Sequence, residues 1–312
     1  MKYFVTGGAG FIGSNLCDFL VKNTDADITV YDNLSVGKLS HISSHIDRGR
    51  IQFIEADLLD FETLKNHMKS HDVVIHLAAN ADIALSATNT YIDVKQTILV
   101  TYNVLEAMRL NSVQRLVYSS GSGVYGDLGD FAPDEKFGPM YPVSLYGATK
   151  LSAEALISAF SSLFSIKASV FRFANVVGGN QTHGVAYDFI RKLNSDNKKL
   201  EVLGNGMQSK SYIHVDDIIS AIFFVLKNQS ALIDTFNVGT GDYITVREIA
   251  SIVIEEMGLE NVEVIFGDTE YGWKGDVPKV RFLSNKILQV GWRLTLNSGQ
   301  AIQRSVKQML EK

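Results

Sequence analysis

The chain has 312 residues, 46% of them hydrophobic and 20% charged, with a formal net charge of −5. That mixture suits a folded globular chain rather than a disordered or collagen-like one, and the acidic balance excludes a broad nucleic-acid-binding face, which needs clustered cations. The single cysteine, Cys17, excludes an internal disulfide and suits a reducing compartment, and no apolar run reaches the ~18 residues of a membrane span.

The N-terminus enters a β-rich run, Lys2–Thr6, with no signal-like segment before it, so the expectation is a cytoplasmic protein. Further short β-rich runs fall at Asp27–Tyr31, Ile51–Glu55, Val73–Leu77, Leu116–Ser119 and Ala168–Arg172. Helical periodicity occupies Ser14–Lys22, Phe61–Lys69, Lys95–Leu110 and Tyr146–Phe164. This βαβα alternation predicts an α/β fold, a Rossmann-type doubly wound parallel sheet with helices on both faces and ligands at the carboxyl ends of the strands. After about residue 174 the pattern loosens; His214–Phe224 starts as a strand and becomes a helix, and Val246–Glu256 and Ala301–Leu310 are helical. The expected organisation is a larger α/β domain over 1–174, completed by 212–240, with a smaller C-terminal α/β lobe from 175–211 and 241–312.

The stretch FVTGGAGFIGSN places Gly8-x-Gly10-x-x-Gly13, with Gly7 beside it, directly after a strand and at the start of a helix. Glycines there allow a tight turn and let backbone N–H groups approach a pyrophosphate at the positive helix end. Asp32 follows Gly13 by about 20 residues at the end of the next strand, where a carboxylate accepts from an adenosine ribose and repels a 2′-phosphate. With no cation directly after Asp32, the expected cofactor is NAD. Asp57, after the third strand, is placed to face the adenine, and the small residues around Leu77, Ala78 and Ala79 suit a cofactor lying across the fourth strand end.

Tyr146 and Lys150 stand four apart in SLYGATKLSAE, on one face of a helix. A phenol of pKa ~10 is a poor base at neutral pH; a neighbouring ammonium and a positive nicotinamide ring would favour the phenolate. Upstream, the stretch YSSGSGVYG at 118–126 brings hydroxyls and glycines to a strand end. His76 and His214 sit among apolar neighbours and are expected to be hydrogen-bonded core residues. No metal-ligand spacing is present, so no metal site is predicted.

Together TGGAGFIGS, DNLSVG, IHLAA, SSGSGVYG, the Tyr146/Lys150 pair, RFANVVG, GNGMQSKSYIHVDD, NVGTGDYITVREIA and WKGDVP resemble the extended short-chain dehydrogenase/reductases along the whole chain. Within them, the resemblance is to the nucleotide-sugar epimerases of the UDP-glucose/UDP-galactose 4-epimerase kind. It implies NAD-dependent epimerisation: Tyr146 takes the proton of a sugar hydroxyl, hydride passes to bound NAD, and the transient 4-keto sugar accepts it back on its other face. Lys150 would hold the nicotinamide ribose and tune Tyr146. The cofactor would lie against Gly7, Gly10, Phe11, Ile12 and Gly13, Asp32, Asn33, Leu34, Ser35 and Gly37, Asp57 and Leu58, Leu77 to Ala79, Thr97 and Ala174. Asn175 would meet the substrate diphosphate, with Gln208, Lys210 and Lys274 as further polar contacts, and Val185 and Glu201 to Leu203 would flank the base. A homodimer through the helices at Lys95–Leu110 and Tyr146–Phe164 is implied as well.

The chain departs from that pattern at defined points. Gly121 stands where relatives carry a catalytic Ser or Thr, Thr97 replaces an Asn, and Lys210 and Tyr271 replace arginines. A lysine contacts a diphosphate as a point charge without arginine's bidentate fork. Ser122 or Ser120 could supply the hydroxyl missing at Gly121, Ser122 first, or Tyr146 could act without one. Ser122 and Gly123 occupy the positions of the acidic pair of related dehydratases, so dehydration and decarboxylation are not expected. The alternatives to an epimerase are a dehydrogenase or reductase with a net redox product, or a catalytically weakened cofactor-binding homologue.

Overall fold

The β-rich runs of the first half assemble side by side in the computed structural model, which describes residues 1–80, 84–272 and 277–311. In chain order these are β1 (Lys2–Thr6), α1 (Phe11–Asn23), β2 (Asp27–Asp32), α2 (Ser43–Asp47), β3 (Ile51–Glu55), α3 (Phe61–His67) and β4 (Val73–His76). Then come α4 (Tyr91–Asp93), α5 (Val100–Leu110), β5 (Arg115–Gly121), α6 (Leu145–Phe164), β6 (Lys167–Phe173), β7 (Asn175–Val177), α7 (Val185–Ser195) and β8 (Lys199–Val202). The chain finishes with β9 (Ser209–Lys210), β10 (Tyr212–His214), α8 (Val215–Asn228), β11 (Ile233–Val238), β12 (Ile244–Thr245), α9 (Val246–Glu256), β13 (Glu263–Phe266), α10 (Asn285–Gln289) and α11 (Ser298–Leu310).

Seven strands form one all-parallel sheet in the order β11-β6-β5-β4-β1-β2-β3. Its central members are largely apolar and covered; all four residues of β4 and the last six of β6 are buried, as a sheet covered on both faces requires. The chain runs outward from β1 to β3 and then crosses back to β4, so a crevice opens between the carboxyl ends of β1 and β4. Leu16, Cys17 and Leu20 of α1 pack with Ile218 and Ile222 of α8 on one face. On the other, Val104, Leu105 and Met108 of α5 and Ala153 and Ile157 of α6 cover Phe4, Tyr31, Val74 and Tyr118. Each such aliphatic side chain contributes about 1.5–3 kcal/mol on burial, which fixes both helix layers over the sheet.

A third core gathers Phe189 and Leu193 of α7, Ile249 and Val253 of α9, and Ile302 and Val306 of α11 around Leu200 and Val202 of β8. Only two-stranded pairs serve it: β10 with β7, β12 with β9, and β13 with β8. Capping boxes start two of its helices, Thr245 with Glu248 at α9 and Asn297 with Gln300 at α11, each contributing about 1 kcal/mol.

Several boundaries differ from the sequence expectation. The helix expected at Lys95–Leu110 begins earlier with α4, opens into a wide π-type turn over Val94–Leu99, and continues as α5. Such a turn holds one residue more than a helical turn, so a search at period 3.6 passes over it; here it turns Thr97 inward, where it is buried. β5 runs on to Gly121 and β6 to Phe173, two and one residues past the apolar runs, because ladder bonds to a neighbour continue there regardless of side-chain type. A cavity of about 790 Å³ opens at the amino ends of β1, β2 and β3, among Lys2, Asp27, Thr29 and Ile51, far from the crevice at the carboxyl ends.

Candidate active site

The cradle at the β1–α1 turn is built by glycines that have no substitute. Gly7 has φ 70°, and a Cβ there would lie 2.8 Å from the Ala78 amide nitrogen. On Gly13 a Cβ would meet the Gly7 carbonyl oxygen at 2.2 Å, so loop and helix close against each other only without side chains. Gly10 caps α1 without a side chain, which leaves the first-turn N–H groups at Phe11, Ile12 and Gly13 to a ligand anion. Asp32 is buried; one carboxylate oxygen accepts from Ala9 N at 3.0 Å and the other from Leu34 N at 2.9 Å. Burial pushes its pKa up, and those two backbone donors pull against that. Asp32 therefore ties the glycine loop to the following turn, in addition to facing the crevice.

The same turn carries the neighbouring expected residues. Leu34 has φ 56°, Asn33 donates to Asp57 at 3.1 Å, and Ser35 donates to Asn33 Oδ1 through its hydroxyl at 2.7 Å. A Cβ on Gly37 would stand 2.9 Å from the Ala9 carbonyl carbon. Leu58 is buried beyond Asp57, while Ala78 N donates to Thr6 Oγ1 at 3.4 Å just past β4, before Ala79. Ala174 is buried at the end of β6, its N–H on the Val238 carbonyl. The Thr97 hydroxyl is buried with no hydrogen-bond partner among the described residues. Glycines closing on backbone, an uncapped helix start and a buried carboxylate at the second strand end fit a dinucleotide.

At the other end of the crevice, Ser144 caps α6 by accepting from Gly147 N at 3.1 Å, which sets Tyr146 and Lys150 on the first turns. Lys150 is 3% exposed; its Nζ donates to the Ser119 carbonyl at 2.7 Å and lies 5.0 Å over the Tyr118 ring and 5.7 Å over that of Tyr146. Burial brings the Lys150 pKa down to about 8, against the opposing pull of Glu154 and Asp93. Burial also pushes the Tyr146 phenol up to about 12, Asp93 adding to it. In the chain alone burial therefore outweighs the lysine that the sequence reading expected to favour the phenolate.

A Cβ on Gly121 would stand 3.9 Å from the Tyr146 hydroxyl, in ordinary contact, so a side chain fits there. Ser120, offered as a replacement hydroxyl, is turned away: β-strand alternation sends it to the opposite side from Gly121, and it donates to Glu154 Oε1 at 2.5 Å. Ser122 is half-buried and its hydroxyl has no partner among the described residues.

The profile of the NAD dependent epimerase/dehydratase family matches residues 3–239. The chain belongs to that family. A protein of Methanocaldococcus jannaschii, provisionally named a UDP-glucose 4-epimerase, is 31% identical over 98% of this chain and 97% of its own. The crystal structure of a UDP-galactose 4-epimerase superposes with a TM-score of 0.87 at 34% identity, covering 100% of this chain and 99% of that one. A UDP-glucuronic acid 4-epimerase from Bacillus cereus, solved with UDP-glucuronic acid and NAD, superposes with a TM-score of 0.89 at 27% identity, covering 100% and 99%.

As a member of this family the chain uses NAD, which when bound supplies the acceptor and donor of a hydride. The residues expected to meet a substrate are spread over the lobe beyond the crevice. Asn175 starts β7 with its side chain on the Ser211 carbonyl at 3.2 Å, and Lys210 is paired with Ile244 in the β9–β12 ladder. Val185 opens α7. Glu201 is exposed and paired with Lys199 at 2.8 Å, while Leu203 is exposed and its carbonyl accepts from the buried Gln208. Lys274 lies outside the described residues.

His76 is a core residue, sharing hydrogen bonds with Thr6 at 2.7 Å and Thr101 at 3.1 Å, and burial takes its pKa down to about 3. Sequence reasoning missed Asp93, Glu154 and Arg172. Asp93 is fully buried, accepting from Asn80 at 2.8 Å and from Ser86; its partners lie 13 and 7 residues earlier in the chain, so no helical spacing announces it. Glu154 falls four residues past Lys150, and extending the Tyr146–Lys150 stripe by one turn would have found it.

Proposed function

We propose that this member of the family is a UDP-hexose 4-epimerase, most simply of UDP-glucose and UDP-galactose. The observation that carries the reading is the end of β5. The Tyr146 hydroxyl and the Lys150 ammonium meet a strand end that presents Gly121, Ser122 and Gly123 and no carboxylate. Among the described residues, Asp93 adds to the burial that raises the Tyr146 phenol, and Asp93 is already held by Asn80 and Ser86. A tyrosine in a dry site with one buried cation is suited to moving a proton on and off a sugar hydroxyl, and the strand end offers no acid to expel water from a keto sugar.

Tyr146 takes that proton and returns it to the 4-keto sugar, while Lys150, anchored on Ser119, orients the nicotinamide ribose and keeps a positive charge beside the phenol. Ser122 donates to the reacting oxygen in place of the hydroxyl that Gly121 lacks. Asn175, Gln208 and Lys210 hold the diphosphate, and Val185, Glu201 and Leu203 flank the base. In this reading 1–174 with 212–240 form the NAD-binding domain, and 175–211 with 241–312 the substrate lobe. The exposed apolar residues Tyr102 and Leu110 of α5 and Leu163 and Phe164 of α6 support a homodimer through these two helices. The buried, unpaired Cys17, with its thiol pushed up to about 12 by burial, supports a cytoplasmic setting.

Incubating the purified protein with UDP-glucose, UDP-galactose, UDP-glucuronate and UDP-N-acetylglucosamine, and separating products by chromatography, tests this. The expected result is conversion of UDP-glucose and UDP-galactose without added NAD. Consumption of NAD in step with product would replace the reading with a net oxidoreductase.

A further inference from the structure

Tyr146, Lys150 and Glu154 lie one turn apart on a single stripe of α6. Each meets the end of β5: Tyr146 across Gly121, Lys150 on the Ser119 carbonyl at 2.7 Å, and Glu154 by accepting from Ser120 at 2.5 Å. Glu154 is 8% exposed and is gripped by Arg172 of β6, whose Nε lies 3.1 Å and 3.2 Å from its two oxygens and whose Nη2 lies 2.6 Å from Oε2. Arg172 Nη1 donates to the Tyr125 hydroxyl at 2.8 Å, and Tyr125 donates to Asn237 of β11 at 2.7 Å. The chain of bonds thus spans β5, α6, β6, the turn after Gly121, and β11. A buried ion pair is weak evidence for stability, since desolvation offsets its attraction, so its place directly under the reacting pair asks for another account.

We propose that Glu154 is a positioning residue for the reaction: clamped by Arg172, it holds Ser120 and so registers the end of β5 against the Tyr146–Lys150 face of α6. This rests on the reading of Tyr146 and Lys150 as the reacting pair. Glu154 also acts on the charge of Lys150. The groups around Lys150 are Tyr146 and Glu154 on α6, Asp93 on α4, His76 on β4, Tyr118 on β5 and, behind Glu154, Arg172 on β6. His76 is held neutral, and Glu154 is the largest influence opposing the burial that lowers Lys150. With Glu154 neutral, Lys150 loses its proton at lower pH, and the alkaline limb of turnover follows it down.

The test compares Ser120→Ala, Glu154→Gln and Glu154→Asp, each purified with its NAD content and melting temperature recorded, for kcat, KM and the pH dependence of kcat. Ser120→Ala is expected to keep NAD and melt near the parent while losing about fivefold or more in kcat with little change in KM. Glu154→Gln is expected to move the alkaline limb down by about half a pH unit or more, and Glu154→Asp to return part of the lost turnover. Full kcat in Ser120→Ala, or an unmoved alkaline limb in a folded Glu154→Gln, overturns the positioning role. Should Glu154→Gln not fold, Ser120→Ala and Glu154→Asp decide. Tyr146→Phe run alongside separates the two levels. If it stays active the catalytic reading falls, and if it is dead while Ser120→Ala is fully active only the role of Glu154 falls.

Discussion

Two glycine-bearing turns lie at the carboxyl ends of β1 and β5, and their glycines answer to different constraints. At the β1–α1 turn a Cβ on Gly7, Gly8 or Gly13 would lie under 3 Å from Ala78, Val30 or the Gly7 carbonyl, so packing alone forbids side chains. After β5, Gly121 is extended at φ −158°, and Cβ atoms on Gly121 and Gly123 would meet nothing closer than 3.9 Å and 3.6 Å. The first turn is glycine because the fold closes there. The second has room to spare beside Tyr146, so packing does not require glycine at Gly121 or Gly123.

The sharpest break in that comparison is on the catalytic side. Tyr146→Phe is expected to cut turnover by about 10³-fold, within the range of a lost acid–base group, while NAD content and melting temperature stay at the parent's. Unchanged turnover would remove the β5 end from the chemistry altogether. Next in size is a contrast between the turns. Gly13→Ala forces overpacking of about 1–3 kcal/mol and is expected to lower the melting temperature by several degrees and strip bound NAD. Gly121→Ala, by contrast, is expected to melt with the parent. Equal melting temperatures for the two variants would erase the distinction drawn between the turns.

A pH profile sharpens the same side. Lys150, at about 8, is charged below that value and neutral above it. If its cation is the working form, kcat falls about tenfold per pH unit above the limb, as for a single essential proton. A profile flat to pH 10 contradicts a working cation at Lys150. A more modest effect is expected at Ser122, where Ser122→Ala should cost about tenfold in kcat, ~1.4 kcal/mol. A loss well below that leaves Tyr146 acting without a serine partner.

The nucleotide end was legible because its constraints are local. Gly7 to Gly13 and Asp32 act through backbone geometry within one βαβ unit, and Asp32's bonds to Ala9 and Leu34 stay inside it. The Tyr146/Lys150 face was legible for a similar reason, since one helix face holds Tyr146, Lys150 and, unnoticed, Glu154. What escaped depends on segments that meet only in space. Ser120 looked like a spare hydroxyl in SSGSG until strand alternation turned it onto Glu154. Asp93 is silent in sequence because Asn80 and Ser86 arrive from the loop before it, and Thr97 lies in a π-type turn with no period to read. The strands of the second lobe are two to four residues long and carry too few positions to show alternation.

The sequence alone therefore determined the parallel sheet, the glycine turn between β1 and α1 and the Tyr146/Lys150 face, because steric rules and helical or strand periods act over a few neighbouring residues. Tertiary structure decided that the Ser120 hydroxyl is held by Glu154, and it placed the buried Glu154–Arg172 pair one turn along α6 from Lys150. It also decided that burial, more than any neighbouring charge, sets the proton affinities of Tyr146 and Lys150. Those outcomes depend on exclusion of water and on contacts between distant segments, and neither is written in local residue order.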